Sequence, residues 1–433
     1  MIDAVAAKTS TMRKFWLYVL IAALAALPGI YLRVSGTHLT AIATALIAGL
    51  AILGAGFMLS WGVEAAEEHV SRGLSLAVLA LITVLPEFVV DFYYAFQGGQ
   101  HPGSEYVHFA AANMTGANRL LVGLGWPTIV LLYWWRSGKR SVELRWDSAT
   151  EISYLALASV YSFVIVWKGR IDLLDAGILF ALFGMYLWRV AKSPKEIDGH
   201  DDDDDEAEVG PGAALTTLAR GQQFAIITAL AVVAGAIILM EAEPFAESLL
   251  GSAAALGVNK FLLVQWVSPL AGELPEIIIM ILFTLSLRPG YALGALISDK
   301  INQWTLLVGA LPLIYSLGGG AWQSLPLGPR QHEEFFLTAA QSVFAVALLL
   351  RLRFGLASAL VLLGLFLAQL GIAFVLQHDE ARAIAYLTDF AWLYLTMAVL
   401  LFAVQYRSLP GYLRVVFGVQ LAAPDAAPGR HGR

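Results

Sequence analysis

The chain contains no cysteine in 433 residues, which excludes disulfides and thiolate metal sites. Charge is also scarce, with Asp, Glu, Lys and Arg making up only 14% of the residues, well under the share a water-soluble domain carries. No G-x-x-x-x-G-K-[ST] run is present, so nothing supports a nucleotide-driven pump. The apolar stretches lack His-rich metal spacing. The formal charge of −6 comes largely from one loop run and gives no footprint for nucleic acid. What the chain does have is apolar surface: 58% hydrophobic residues and a mean hydropathy of +0.70. This composition predicts an all-α, polytopic membrane protein.

Windows of about 20 apolar residues predict 12 spans, near 15–34, 40–68, 73–97, 106–135, 148–167, 171–190, 222–241, 259–285, 290–318, 332–352, 355–377 and 383–406. A shorter helical segment is expected over 244–257. The first span, preceded by Lys8, Arg13 and Lys14, is longer than a signal-peptide core and reads as a retained helix. Residues 191–221 carry Asp201 to Asp205, Glu206 and Glu208 among Gly and Pro and read as a disordered linker. The expected divisions are an extra N-terminal span (1–38), a first membrane repeat (39–190), the acidic linker (191–221), a second, inverted repeat (222–377), and a further span and tail (378–433).

Most Lys and Arg fall in alternate loops, around Arg72, Arg136 to Arg145, Arg189 to Lys195, Arg288, and Arg351 to Arg353. The positive-inside rule places these loops, the linker and both termini in the cytoplasm, with the plasma (cell inner) membrane as the expected site.

Two stretches then stand out as copies: Leu85-Pro86-Glu87 in VLALITVLPEFVVDF and Leu274-Pro275-Glu276 in QWVSPLAGELPEIIIMI. An ionisable residue inside a span marks an ion or substrate path. The proline removes a hydrogen bond and frees the carbonyl four residues back, that of Ile82 or Ala271. Carboxylates beside free carbonyls suit a hard cation. Each motif helix precedes a second one carrying Leu-Leu-Val-Gly, at Leu120–Gly123 and Leu306–Gly309, with 36 and 33 residues from glutamate to glycine. The expected orientation runs the two motif spans in opposite directions. Inverted repeats with interrupted helices at the midplane are a transporter architecture.

These residues resemble the sodium/calcium exchanger superfamily of cation antiporters, whose repeats carry motifs like G-T-S-L-P-E and G-S-N-x-x-N. Leu256 through Glu276 matches the family spacing, Ile297-Ser298-Asp299-Lys300-Ile301-Asn302 stands at the second N-motif, and Ala112-Asn113-Met114-Thr115-Gly116-Ala117-Asn118 at the first. The resemblance implies Glu87 and Glu276 as central cation ligands. It adds Thr83, Asn113, Asn118 and Asp299, with Ser298 and Asn302 as weaker candidates. Departures are Ile82 and Val84 in place of Gly and Ser, and Gly272 and Glu273 in place of Thr and Ser. Hydroxyl ligands are therefore few and one carboxylate is extra. The partner helices also hold two basic residues, Arg119 and Lys300. Their register admits two alignments, Leu-Leu-Val-Gly on itself or Asn118-Arg119 on Asp299-Lys300.

Asp91 lies one helical turn after Glu87, and Glu273 just before Glu276. Arg119 and Lys300 are expected as internal counter-ions to Asp91, Glu273 or Asp299, taking up room that cations would otherwise fill. The alternative is that they close salt bridges only. Crowded carboxylates can hold a proton at neutral pH. Glu64, Glu67, Glu68 and His69 read as a solvated helix end, Asp201 to Asp205 with His200 as a flexible acidic stretch, and Trp134, Trp135, Trp167 and Trp188 as interfacial belt residues.

The expectation is a secondary antiporter with alternating access, not an enzyme. It exchanges Ca²⁺ or a related cation, with Na⁺ as the counter-ion the resemblance implies and H⁺ as the alternative that Arg119 and Lys300 suggest. Rival readings are an intramembrane metal-dependent enzyme and an ion sensor. No cofactor is implied, and the partners are inorganic cations and the lipid bilayer, without nucleic acid or nucleotide. No feature specifies an oligomer.

Overall fold

A computed structural model describes residues 2–66, 85–145, 148–192, 211–407 and 410–412. Thr83, the Glu67–His69 cluster and the His200–Asp205 run lie outside the described residues. The helices are α1 (Ile2–Ser35), α2 (Ala41–Ala66), α3 (Leu85–Gln100), α4 (Tyr106–Leu120), α5 (Trp126–Ser137), α6 (Ser148–Lys168) and α7 (Leu173–Lys192). They continue as α8 (Arg220–Leu256), α9 (Lys260–Leu285), α10 (Pro289–Asn302), α11 (Val308–Gly319), α12 (Pro329–Leu349), α13 (Leu356–Val375) and α14 (Glu380–Val404).

Among the described residues, 8 helices are long and apolar enough to cross a membrane. They fall on eight of the twelve expected spans. The other four depart from a plain apolar rod for identifiable reasons. Two are long rods, α4–α5 and α10–α11, each continuous through a π-helical turn at Leu121–Gly125 or Gln303–Leu307. α3 begins at the first motif, where the described residues resume. α12 opens with Arg330, His332, Glu333 and Glu334, too many charges for a simple span. The segment expected separately at 244–257 is instead the end of α8, which runs on through Pro244 to a left-handed cap at Gly257. The last part of the expected linker is also ordered. Residues Pro211–Thr217 form a 3₁₀ turn, and the Gly212 N–H donates to Glu64 Oε2 at 2.9 Å. Glu64 is therefore a docking point at its helix end.

The loops tie together in two sets. Strand β1 (Ser141–Glu143) pairs antiparallel with β4 (Arg353–Gly355), and β2 (Arg170–Ile171) with β3 (Leu325–Pro326). Arg33 meets Glu243, Lys260 meets Glu105, and Asn259 accepts from Phe261 N while its own N–H donates to Gln377. Each of these contacts joins loops that the charge pattern assigns to the same side.

Small residues bring the helices close, as packing in lipid requires. A methyl group on Gly116 of α4 would lie 1.8 Å from the Gln265 carbonyl oxygen of α9. One on Gly99 of α3 would lie 2.1 Å from the Tyr315 carbonyl of α11. Neither backbone can be displaced cheaply. Gly116→Leu is accordingly expected to destabilise the fold by at least about 2 kcal/mol, read as a lowered thermal transition of the detergent-solubilised protein; an unchanged transition would show that the α4–α9 contact is not tight.

Candidate functional site

Both motif prolines and both motif glutamates meet at one place. Gly272 of α9 packs on the backbone of Glu87, where a methyl would stand 3.1 Å from its N and Cα. Gly56 of α2 lies against the pair of prolines, a methyl there falling 2.8 Å from Pro275 Cγ and 3.7 Å from Pro86 Cγ. The close approach of three helices carries the glutamates into the interior. Pro275 sits inside α9 and cannot donate to the Ala271 carbonyl.

Around this crossing the acidic residues gather. Glu87, Asp91 and Glu273 are buried, at 8%, 0% and 2% exposure. Glu276 and Asp299 are part-exposed and within side-chain hydrogen-bonding reach of each other. Glu87 lies beside Glu273 and Gln303, and the Gln303 amide donates to Glu273 Oε1. Asp91 stands one turn along, next to Asn113. Among the described residues, Glu87 Oε1, both Asp91 oxygens and Asn113 Oδ1 are buried without a hydrogen-bond partner. Oxygen acceptors of this kind are the ligands that hard cations take.

A cavity of about 880 Å³ leads to these groups. Glu276, Ser298, Asp299 and Asn302 line it, together with Glu64, Pro211 and Tyr291 near helix ends and Lys14 near the start of the first apolar span. Ser298 Oγ also lies 2.5 Å from the Tyr186 hydroxyl. Extensive apolar walls from α1, α2 and α9 line the rest.

Arg119 is placed differently from expectation, and Lys300 partly so. Arg119 pairs with Glu334 of α12, and not with Asp91, Glu273 or Asp299. Its guanidinium also lies 4.9 Å from the centre of the Trp266 ring. The reason is geometric: Arg119 projects from α4 toward α12, whose first turns bring Glu334 alongside. Lys300, 0% exposed, donates from Nζ to Asn118 Oδ1 at 3.0 Å and to the Asn118 carbonyl at 3.2 Å. Asn118 thus already accepts from the Lys300 amino group. Lys300 does lie within electrostatic reach of Glu273.

The structure brings together Glu87, Asp91, Asn113, Glu273, Glu276 and Asp299. Asn118 and Lys300 form an adjoining pair, and Arg119 belongs to a separate ion-pair network. Sequence reasoning missed Gln303, although a polar side chain one turn after Asp299 in an apolar rod was a usable signal. It also missed Glu333 and Glu334, at the start of the span expected near 332–352. The π turns begin three residues after Asn118 and four after Asp299. That offset is within one residue of the alignment pairing Asn118-Arg119 with Asp299-Lys300. π turns are frequent at functional sites because they re-aim side chains within a helix.

Removing one partner of a buried ion pair leaves the other uncompensated. Arg119→Ala and Glu334→Ala are each expected to cost about 3–5 kcal/mol, and the Arg119→Met/Glu334→Met double variant less than either, measured as thermal stability in detergent. A double variant worse than both singles would show that the pair contributes more than mutual neutralisation.

Comparison with known proteins accords with this geometry. The family model described as Sodium/calcium exchanger protein matches residues 40–192 and 226–375, each stretch holding one motif helix and its partner. The crystal structure of the H⁺/Ca²⁺ exchanger CAX is 38% identical, with a TM-score of 0.85, over 94% of this chain and 98% of that one. Two more distant structures share the fold alone. Native YfkE is 13% identical with a TM-score of 0.58, over 83% of this chain and 99% of that one. The sodium-calcium exchanger NCX_Mj is 18% identical with a TM-score of 0.50, over 76% and 97%. No curated protein matches. With both halves of the chain matched and the motif glutamates meeting in its interior, the protein belongs to the sodium/calcium exchanger family of multi-pass membrane transporters.

Proposed function

We propose that the chain exchanges Ca²⁺ for H⁺ by alternating access, with Glu87 and Glu276 at the centre of the cation site and Asp91, Asn113, Glu273 and Asp299 around them. The observation that carries this reading is the neighbouring pair Glu276 and Asp299, both lining one large cavity, with Glu87 and Glu273 interacting with them. A divalent cation entering the cavity meets carboxylate and amide oxygens, the ligands hard cations take. It must shed water there, and the orphaned acceptors replace that water.

Cation antiport fits the family. The counter-ion is the finer step, and three features favour the proton over the Na⁺ that the motif resemblance alone implies. The described site is built from carboxylates and amides, and carboxylates crowded in low dielectric take up protons readily. The Lys300 amino group takes up the Asn118 oxygens, acceptors that a monovalent ion would otherwise use. The 38% identical structure is an H⁺/Ca²⁺ exchanger. In this cycle the carboxylates hold either Ca²⁺ or protons, never both, so each expels the other as the site faces alternate sides.

The inverted-repeat arrangement and the twelve-span topology belong to this proposal. They are supported by the matching π turns, by loop contacts that respect the charge-assigned sides, and by the two-stretch family match. On that topology the large cavity opens to the cytoplasm, the side of both termini, in a cell inner membrane. Thr83, outside the described residues, remains a proposed ligand from its motif position.

Glu87→Gln and Glu276→Gln are each expected to reduce H⁺-driven ⁴⁵Ca²⁺ uptake into proteoliposomes by more than about 100-fold while insertion and yield are kept. Uptake in the wild type driven by an outward Na⁺ gradient and not by an outward H⁺ gradient would refute proton coupling; full uptake in either variant would remove the site.

A further inference from the structure

A group of hydroxyls and rings that the cation site does not use gathers near the end of α8, and none of it lines the large cavity. On the proposed topology this is the outer end of the bundle: α3 runs outward from Glu87, and α8 finishes there at its Gly257 cap. Asp91 lies one turn outward of Glu87, with both of its oxygens orphaned among the described residues. Tyr94 follows three residues later, on the same face of α3. It is 0% exposed and within electrostatic reach of both Asp91 and Glu247 of α8. Its hydroxyl donates to the Ala246 carbonyl at 3.2 Å.

Glu247 is clamped beside it. The Tyr93 hydroxyl of α3 donates to Glu247 Oε1 at 2.8 Å, and the Tyr106 hydroxyl of α4 donates to the same oxygen at 2.7 Å. One carboxylate oxygen thereby joins three helices. Hydrogen bonds to a carboxylate are stronger than those between neutral groups. Rings fill the space around the clamp: Tyr94 lies 6.0 Å from Tyr93, 6.4 Å from Tyr106 and 5.7 Å from Phe109, centre to centre. One turn earlier on α8, Glu243 pairs with Arg33 at 2.7 Å, which ties the same helix end to α1.

We propose that Tyr93, Tyr106 and Glu247 form the outer gate of the cation path, with the Tyr94 ring as its plug. The assignment rests on the alternating-access reading. With the large cavity open to the opposite face, the outer gate is closed, as alternating access requires. Opening it parts α8 from α3 and α4, breaks both tyrosine hydrogen bonds to Glu247 and draws Tyr94 off the Ala246 carbonyl. The freed Glu247 carboxylate then faces the opened path and offers a passing cation an oxygen in place of water. Exchange at the shared carboxylates is unchanged by this; the gate decides when they face outward.

The chain has no cysteine, so a single introduced thiol reports on this path alone. Ala95, 0% exposed and one turn beyond Asp91, is the position for it. Ala95→Cys is made in the full-length protein, held in sealed right-side-out vesicles and labelled from outside with MTSET, a membrane-impermeant cationic thiol reagent. Adding Tyr93→Phe and Tyr106→Phe, which keep the rings and remove the hydroxyls, is expected to raise the labelling rate at least about 10-fold. An unchanged rate overturns the gate. A second measurement bridges Tyr106→Cys and Glu247→Cys with a bifunctional methanethiosulfonate; the bridge is expected to stop H⁺-driven ⁴⁵Ca²⁺ uptake, and its reduction to restore it. Uptake that continues through the bridge also overturns the gate. Labelling is read without any flux, so a wild type that moves no Ca²⁺ removes the antiport reading, whereas a transporting wild type with unresponsive labelling removes only the gate.

Discussion

The structure depends on the cost of keeping charge in a low-dielectric interior. Each ionisable side chain among the spans must be paired, hydrogen-bonded or given a cation. The protein meets this in two ways. Arg119, Arg330, Glu333 and Glu334 offset one another as a near-neutral group, and Lys300 is held by Asn118. The carboxylates at the motif crossing have no basic partner of their own among the described residues, and several of their oxygens are orphaned. Uncompensated negative charge is therefore concentrated beside the large cavity.

Close helix packing makes that concentration possible. Gly56, Gly116 and Gly272 let backbones approach until the two prolines and the two glutamates share one crossing. Larger residues would separate the helices and admit water, which would screen the carboxylates and weaken the competition between ions. The π turns on the partner rods act in the same place, turning Gln303 toward Glu273. Packing and electrostatics therefore support one outcome: a small, acidic, accessible centre within an otherwise compensated interior.

The gathering of carboxylates at one crossing also gives a physical basis for coupling. Antiport requires that one ion make the other less welcome. On the proposed reading, competition for Glu87 and Glu276 does this through shared ligands.

The sequence by itself determined the all-helical membrane class, the paired Leu-Pro-Glu motifs and most of the acidic residues that gather there. Local chemistry suffices for these, because long apolar windows, prolines and carboxylates inside them carry their meaning wherever the chain folds. It also placed loop contacts on consistent sides, since positive charge alternates along the chain. Tertiary structure alone decided which charge meets which. Arg119 goes to Glu334, Lys300 to Asn118, and Gln303 to Glu273, pairings set by how separate helices cross and not by spacing along any of them. It likewise decided that α8 passes through Pro244 unbroken and that the end of the acidic stretch docks on Glu64. In both, contacts from neighbouring helices outweighed the local signals for a break and for disorder.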